Sequence, residues 1–413
     1  MSLSPEWRLL LACAKTNLTT DGQNKAHDLA RGDLDWDFLA KTSCKHGIAP
    51  LIYVNLQRSG VMNVVSASAV QLLRGSYYGN AARNALLFDE LGAVLGAFKE
   101  NGIDVIVLKG AALAEIVYPH RALRAMSDID LLVRKERLDE AGSKLLSMGY
   151  RRDASEVFSL EHHYHFVFKK RAAINIELHW HVKFPTDVSR IDIGGFWERA
   201  QSTTITGIET LTLSPEDLFL HLCHHAYKHK FIGGIRPLCD IAEAARFYGG
   251  RINWKNIIAL ATQWQIAPCV YLELSLAREL LDAQIPQSIL KDLKPMKFNV
   301  DVMTWTRERM LTNSQSSPVF PELVELLWKG RGLKERWAVL QRILSPNVAA
   351  THCGYPSESK RSYFYYPRRI NYLFRQYGPV IWALLSGDPT VRAAAEKLDK
   401  QMRLTKWLSS GLQ

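Results

Sequence analysis

Hydrophobic residues in the first hundred positions recur every three or four residues, which is the spacing of helices that bury one face. This pattern predicts several short helices between about residues 5 and 60. It predicts one long helix between Ser66 and Asn101, where Asn101-Gly102 is a typical helix stop. We therefore expect an N-terminal helical region over residues 1–100. The apolar side of the long helix is predicted to consist of Leu72, Leu73, Ala81, Leu86, Leu87, Leu91, Val94, Leu95 and Phe98.

From residue 103 the pattern changes to short, continuous apolar runs, which are typical of buried strands. Ile103 to Leu108 predicts a strand, and Lys109-Gly110 predicts a turn. Ala111 to about Tyr118 predicts a helix, and Ile129 to Val133 predicts a second strand. The rest of the chain is organised around this strand-helix-strand unit.

Two carboxylates stand at the start of the second strand. Because side chains alternate between the two faces of a strand, Asp128 and Asp130 are expected to point the same way, while Ile129 and Leu131 point the other way. Two converging carboxylates repel each other unless a cation lies between them. The pattern therefore indicates a divalent metal site, and with it metal-assisted phosphoryl or nucleotidyl transfer.

A third carboxylate is predicted on a neighbouring strand. Residues 164–169 and 173–182 predict a hairpin, in whose second strand Glu177, His179 and His181 share one face. An amphipathic helix is predicted over residues 134–148 and a threonine-rich strand over residues 203–213. We expect an α+β fold, with a small mixed sheet in residues 101–213 embedded in a mostly helical chain.

The remainder of the chain reads as helices. Ser214-Pro215, followed by two acidic residues, is typical of a helix start, and the helical pattern predicts a bundle over residues 214–312. Within it His221, His225 and His229 are four residues apart and share a helix face. That spacing suits metal ligands, but no Glu completes a His-Glu-x-x-His motif, so histidines that line a core or pocket are favoured.

Residues 313–413 are predicted to form a basic, aromatic-rich helical C-terminal region. From Lys329 to the C-terminus there are 15 Lys and Arg against 5 Asp and Glu, whereas the whole chain has a net charge of +11. The basic character therefore belongs to residues 329–413. Two interpretations stay open for it: contact with an anionic membrane surface or nucleic acid, or helix packing with solvated charges.

The bulk composition is that of a folded protein with several domains. The chain has 413 residues, of which 47% are hydrophobic. Its six cysteines are scattered without a Cys-x-x-Cys pair, so neither a zinc ribbon nor a disulfide framework is indicated. No signal-sequence pattern stands out, and no apolar run approaches the ~20 residues that cross a bilayer. We expect a cytoplasmic protein without an integral membrane segment.

The order of these motifs resembles the DNA polymerase β-like nucleotidyltransferase superfamily, whose small α/β palm has a strand, a glycine turn with a helix, and a strand that carries Asp-x-Asp. The matching segments are Leu108-Lys109-Gly110, Ser127 to Val133, and Glu177. The chain is more narrowly similar to a poorly characterised bacterial group of minimal-type nucleotidyltransferases, over roughly residues 70–290. The resemblance implies that residues 101–213 form the palm.

The resemblance also implies the metal ligands. Asp128, Asp130 and Glu177 would hold two Mg²⁺ ions, which bind the triphosphate, activate the attacking hydroxyl and neutralise the leaving pyrophosphate. Gly110 would let backbone amides approach the phosphates. The superfamily usually has Gly-Ser or Gly-Gly at the turn, whereas this chain has Gly110-Ala111 preceded by Lys109.

Positive side chains near the turn are expected to compensate for the missing serine hydroxyl. Lys109, Arg121 and Arg124 would bind the phosphates, and Ser127 and His179 complete the predicted nucleotide-binding set.

The resemblance implies transfer of a nucleoside monophosphate from ATP or another nucleoside triphosphate to an unidentified small-molecule, peptide or protein acceptor. Two alternatives stay open. One is a non-catalytic nucleotide-binding regulatory module that kept the palm. The presence of all three carboxylates argues against this alternative. The other is an RNA- or protein-directed nucleotidyltransferase that docks through its basic tail.

Overall fold

The computed structural model describes residues 3–152, 164–170, 174–183, 190–229, 231, 234–296 and 298–312, together with residues 382, 386 and 389. The chain divides into two compact units, Met1–Asn313 with Leu408–Gln413, and Ser314–Trp407. All elements below belong to the first unit. The predictions for the basic tail lie outside the described residues. Among the described helices, none is long and apolar enough to cross a membrane.

The N-terminal region is helical, as predicted. Four of its five helices begin at a side chain that accepts a hydrogen bond from a backbone N–H of the first turn, namely Ser4, Thr19, Asp35 and Ser66. The long helix ends before Gly102, whose φ of +61° is in the left-handed region. The helices are α1 (Pro5–Cys13), α2 (Thr20–Ala30), α3 (Trp36–Lys45), α4 (Ala49–Arg58) and α5 (Ala67–Glu100).

The predicted apolar side of α5 is wrong at two positions. Leu72 and Leu86 are 40% and 54% exposed, whereas Leu73, Leu87 and Leu91 are buried. A single stripe of a 34-residue helix packs against the core, and helical spacing alone does not show how wide that stripe is.

The central sheet is mixed, which confirms the α+β expectation. Its strand order is β3-β4-β5-β2-β1-β7-β6. Strand β2 pairs parallel to β5 and antiparallel to β1, and β1 pairs parallel to β7. The strands are β1 (Val105–Val107), β2 (Ile129–Val133), β3 (Arg151–Arg152), β4 (His165–Lys170), β5 (Ile174–His179), β6 (Gln201–Ile205) and β7 (Ile208–Thr212).

The predicted hairpin over residues 164–182 is present as β4 and β5, which pair antiparallel with His165 opposite His179. The threonine-rich segment predicted as one strand forms two, β6 and β7, joined at Thr206 and Gly207. Both turn residues have positive φ, +53° and +79°. A Thr-Gly turn is a weaker signal than Asn-Gly or Asp-Gly, which is why the pattern alone did not separate the two strands.

The two faces of the sheet differ in chemistry. Ile129, Leu131, Ile176 and Leu178 point into a core formed with apolar residues of α5 and of α7 (Leu138–Ser147). By alternation, Asp130, Glu177 and His179 point to the opposite face. The hydrophobic pattern therefore fixes which side of the sheet carries the polar chemistry.

The helices after the sheet begin at the predicted place, with the Ser214 side chain capping the first of them. Helices α9, α10 and α12 pack on one another. The short α6 (Lys109–Ala112) continues as a π-helical turn (Leu113–Val117), and 3-10 turns span Arg121–Leu123, Lys135–Arg137 and Gly249–Arg251. The remaining helices are α8 (Ile193–Arg199), α9 (Pro215–Lys228), α10 (Arg236–Tyr248), α11 (Trp254–Gln263), α12 (Ala267–Leu281), α13 (Gln287–Leu293) and α14 (Val300–Thr312).

Candidate nucleotidyltransfer site

The parallel pairing of β2 with β5 brings the predicted carboxylates together. In this register Asp130 lies opposite Glu177, and Leu132 lies opposite His179. Because Asp130 and Glu177 are direct neighbours on the same face, two strands that are more than forty residues apart in sequence build one cluster.

Asp130 is the most buried member of this cluster, with a side chain that is 1% exposed. Its Oδ1 atom lies 2.8 Å from the Nζ of Lys109 and 3.1 Å from the Nε2 of His179. The same His179 Nε2 lies 3.3 Å from Oε2 of Glu177. Lys109 thus contacts Asp130, and His179 contacts both Asp130 and Glu177.

The charges of this cluster shift one another's titration. Burial raises the pKa of Asp130, but the Lys109 charge and the His179 hydrogen bond outweigh it and hold that pKa well below its usual range. For Glu177, burial is likewise outweighed, chiefly by the His179 hydrogen bond, and the pKa is lowered. Burial lowers the pKa of Lys109, but attraction from Asp130, Asp128 and Glu177 raises it overall. Lys109 is therefore held as a cation.

Asp128 has a different environment. Burial and repulsion from Asp130 raise its pKa, and the Lys109 charge and a hydrogen bond from Ser127 oppose this only in part. Ser127 itself is exposed, and its backbone oxygen accepts a hydrogen bond from Arg83. Asp128 therefore interacts electrostatically with the cluster, and its ionised form is less favoured than those of Asp130 and Glu177.

The donor atoms fit a divalent cation. One ligand atom from each of Asp130, Glu177 and His179 lies within 4.8 Å of the other two. The second oxygen of Asp130, Oδ2, is buried and has no hydrogen-bond partner. A buried carboxylate oxygen without a partner is costly, and a bound metal ion would satisfy it.

The predicted Lys109-Gly110 turn is wrong, because both residues lie in α6, and there Gly110 packs tightly against the loop before β2. A Cβ added at Gly110 would lie 3.2 Å from an Nη1 atom of Arg124. Arg124 cannot easily move away, because its guanidinium donates two hydrogen bonds to Asp240, at 3.1 and 2.9 Å, and is buried. Because Gly110 has no Cβ, α6 can approach Arg124 closely at this position.

The two arginines that were predicted to bind phosphate both have carboxylate partners. Arg124 pairs with Asp240 of α10, and Arg121 pairs with both oxygens of Glu115 while it stacks over the Phe88 ring at 3.9 Å. Lys109 and His179, by contrast, contact Asp130 directly. A phosphate-binding role for the arginines stays a prediction.

Sequence reasoning missed the residues that hold the loop over residues 118–128. From α5, the Asn84 side chain donates to the backbone oxygens of Arg121 (2.7 Å) and Arg124 (2.9 Å), and the Arg83 side chain donates to those of Met126 (3.2 Å) and Ser127 (2.9 Å). Asn84 is fully buried, whereas all the other buried residues of α5 are apolar. A polar residue at such a position is the signal that could have identified it.

Helix α10 holds the same loop from its other side. Besides Arg124, the Tyr118 hydroxyl donates to Asp240 at 2.9 Å, and Arg236 donates to the backbone oxygen of Ala125 at 3.3 Å. The segment that leads into Asp128 is thus fixed between two helices.

The predicted histidine row lies on α9 and its C-cap. Ring centroids are 6.3 Å apart for His221 and His225 and 4.4 Å apart for His225 and His229. Burial lowers the pKa of all three imidazoles, that of His229 to about 4, and the Lys109 charge acts in the same direction. Among the described residues, the group of three possible metal ligands does not include these histidines, and their pocket-lining role stays a prediction.

Comparison with known proteins identifies one family. The sequence profile of a family described as uncharacterised nucleotidyltransferase matches residues 32–282, which include the whole sheet and the carboxylate cluster. No curated protein matches the chain significantly. Among solved structures, the solution structure of the antibiotic-resistance factor ANT(2'')-Ia is similar at 15% sequence identity and a TM-score of 0.32, over 43% of this chain and 90% of that one. The chain belongs to the family of uncharacterised nucleotidyltransferases and is a nucleotidyltransferase enzyme.

Proposed function

We propose that this enzyme transfers a nucleoside monophosphate from a nucleoside triphosphate to an acceptor, at a divalent metal site formed by Asp130 and Glu177 with Asp128 beside them. The observation that carries the proposal is the unpartnered, buried Oδ2 of Asp130, placed by strand register next to Glu177 and His179. Two carboxylates on neighbouring strands of one sheet face, here Asp130 and Glu177, are suitable ligands for a metal-assisted transfer.

A bound divalent ion would supply charge stabilisation on the transferred phosphoryl group and lower the pKa of the attacking hydroxyl. Asp130 is ready to accept such an ion, because the low pKa of its carboxyl keeps it ionised at neutral pH. His179 orients both Asp130 and Glu177 through its Nε2 atom. Mg²⁺ as the metal and a second bound ion stay predictions.

The side chains around the carboxylates bear on the chemistry of the acceptor. Lys228 of α9 donates to the Tyr164 hydroxyl at 2.6 Å, and Tyr164 stacks near His165 and His179. Burial lowers the pKa of His221 and His225 on α9, so these two imidazoles are suited to hydrogen-bond hydroxyl groups rather than to bind anions. This favours a hydroxyl-bearing acceptor.

The test is pyrophosphate release with each of the four nucleoside triphosphates and Mg²⁺ or Mn²⁺, with and without a pool of cell metabolites. Metabolite-dependent release by the wild type is expected, and Asp130→Asn should reduce it by about a hundredfold or more, since the ligand contributes several kcal/mol to the transition state. A matched control is Asp104→Asn, which changes a carboxylate beside β1 outside the cluster. Equal release by Asp130→Asn and wild type would refute the proposal.

A further inference from the structure

Lys109 precedes Gly110-Ala111, the pair that stands where the superfamily usually has Gly-Ser, and it contacts a carboxylate of the cluster. Its Nζ lies 2.8 Å from Oδ1 of Asp130, and the two side chains are 12% and 1% exposed. Asp128 and Glu177 also attract it. Lys109 is thus the counter-cation of the whole carboxylate cluster.

A divalent ion at Oδ2 of Asp130 would share that carboxylate with the Lys109 ammonium, which contacts Oδ1. Two cations that contact one buried carboxylate repel each other strongly, because little water or salt screens them there. An ion that binds Asp130 must therefore displace Lys109 or bind against its charge. Either way, Lys109 weakens the binding of a metal ion that arrives alone.

A bound triphosphate would remove this repulsion between Lys109 and the metal ion. Lys109 directly precedes Gly110, where the triphosphate is expected to bind. Phosphate oxygens are strong hydrogen-bond acceptors for an ammonium group. When Lys109 pairs with phosphate, Asp130 is left to the metal ion. The same side chain thus links the two binding events.

We propose that Lys109 is an internal counter-cation that makes metal binding depend on nucleotide: it neutralises Asp130 through Oδ1 and pairs with the triphosphate when nucleotide and metal bind together. This inference rests on the proposed function of the site. Because binding linkage is reciprocal, metal and triphosphate each tighten the other's binding, and the coupling is lost without the lysine charge. Without nucleotide, the carboxylate cluster therefore binds metal ions weakly.

The test uses binding rather than turnover. Mn²⁺ binding at pH 8 is measured by calorimetry and by electron paramagnetic resonance for the full-length wild type, Lys109→Met and the control Lys99→Met, which removes a lysine paired with Glu209 on the surface. In a second arm, inorganic tripolyphosphate is titrated in the presence of EDTA. It is a probe that does not depend on the preferred base.

Lys109→Met is expected to bind Mn²⁺ alone about tenfold or more tightly than wild type, and to bind metal-free tripolyphosphate about tenfold or more weakly. Lys99→Met should match wild type in both arms. Circular dichroism checks that each variant is folded, and Lys109→Gln, with the same expected direction, replaces Lys109→Met if that variant does not fold.

Equal Mn²⁺ affinity of wild type and Lys109→Met would overturn the inference and leave the proposed function intact. Tighter Mn²⁺ binding without weaker tripolyphosphate binding would also overturn it, because Lys109 would then compete with metal without passing to phosphate. If neither protein binds Mn²⁺ even with tripolyphosphate present, and no pyrophosphate is released, the proposed function fails as well.

Discussion

We expect the ion pair of Arg124 with Asp240 to stabilise the loop before β2 more than any other single contact of that loop. Its side chains are 8% and 4% exposed, and its two hydrogen bonds are 3.1 and 2.9 Å long. Asp240 also accepts from the Tyr118 hydroxyl. Asp240→Asn therefore leaves a buried guanidinium without its countercharge, while it keeps the size of the side chain.

The expected cost follows from this burial. Breaking a buried ion pair by neutralising one partner costs about 3–5 kcal/mol, because the remaining charge stays desolvated. Asn keeps one oxygen as an acceptor, so we expect about 3 kcal/mol in the free energy of unfolding. The surface pair of Lys99 with Glu209, whose side chains are 57% and 69% exposed, should contribute no more than about 1 kcal/mol.

Urea denaturation followed by circular dichroism measures both costs. Asp240→Asn should lower the unfolding midpoint far more than the control Glu209→Gln. The double variant Arg124→Met/Asp240→Leu should cost less than Asp240→Asn alone, because no unpaired charge remains. A cost of Asp240→Asn below about 1 kcal/mol, or a double variant that is worse than the single one, would refute this account of the loop.

Three further predictions concern single side chains. Asn84→Ala removes two hydrogen bonds to the loop before β2 and should cost about 1–3 kcal/mol in urea denaturation; a change below a few tenths would contradict its role. Gly110→Ala should cost about 1–3 kcal/mol, and less in an Arg124→Met background, because its Cβ would meet the Arg124 guanidinium. Glu273 is fully buried with both oxygens unpartnered, and burial raises the pKa of its carboxyl well above 4.5. The folded protein therefore carries no cost for an ionised Glu273 below pH 4.5, and it loses stability as pH rises toward the folded-state pKa. Thermal melts should therefore show Glu273→Met gaining stability over wild type as pH rises from 4.5 to 8, and a pH-independent difference would contradict this.

The sequence pattern was sufficient for the frame of the site. The apolar runs predicted β1 and β2 and the change from helices to a sheet, and alternation placed Ile129 and Leu131 in the core, so that Asp130 had to face the other way. Local periodicity carries this information because a strand exposes each face at every second residue.

Long-range contacts were not predictable in the same way. The partners of Arg124 and Asn84 depend on how α10 and α5 pack on the loop, and these contacts join residues 37 to 116 positions apart. The contact of Lys109 with Asp130 depends on the pairing of β1 with β2. One sequence without tertiary geometry suggests that such residues are charged or polar, but not which partner each one has.

The most direct test of the central claim is to follow label from a nucleoside triphosphate that carries ³²P either at the α or at the γ position. With divalent metal and the metabolite pool, we expect α label on an acceptor and γ label in released pyrophosphate, and Asp130→Asn should reduce both by about a hundredfold or more. Transfer of the γ label to an acceptor would mean phosphoryl rather than nucleotidyl transfer, and α label on an acceptor at an equal rate with Asp130→Asn would mean that the carboxylate cluster is not the site of reaction.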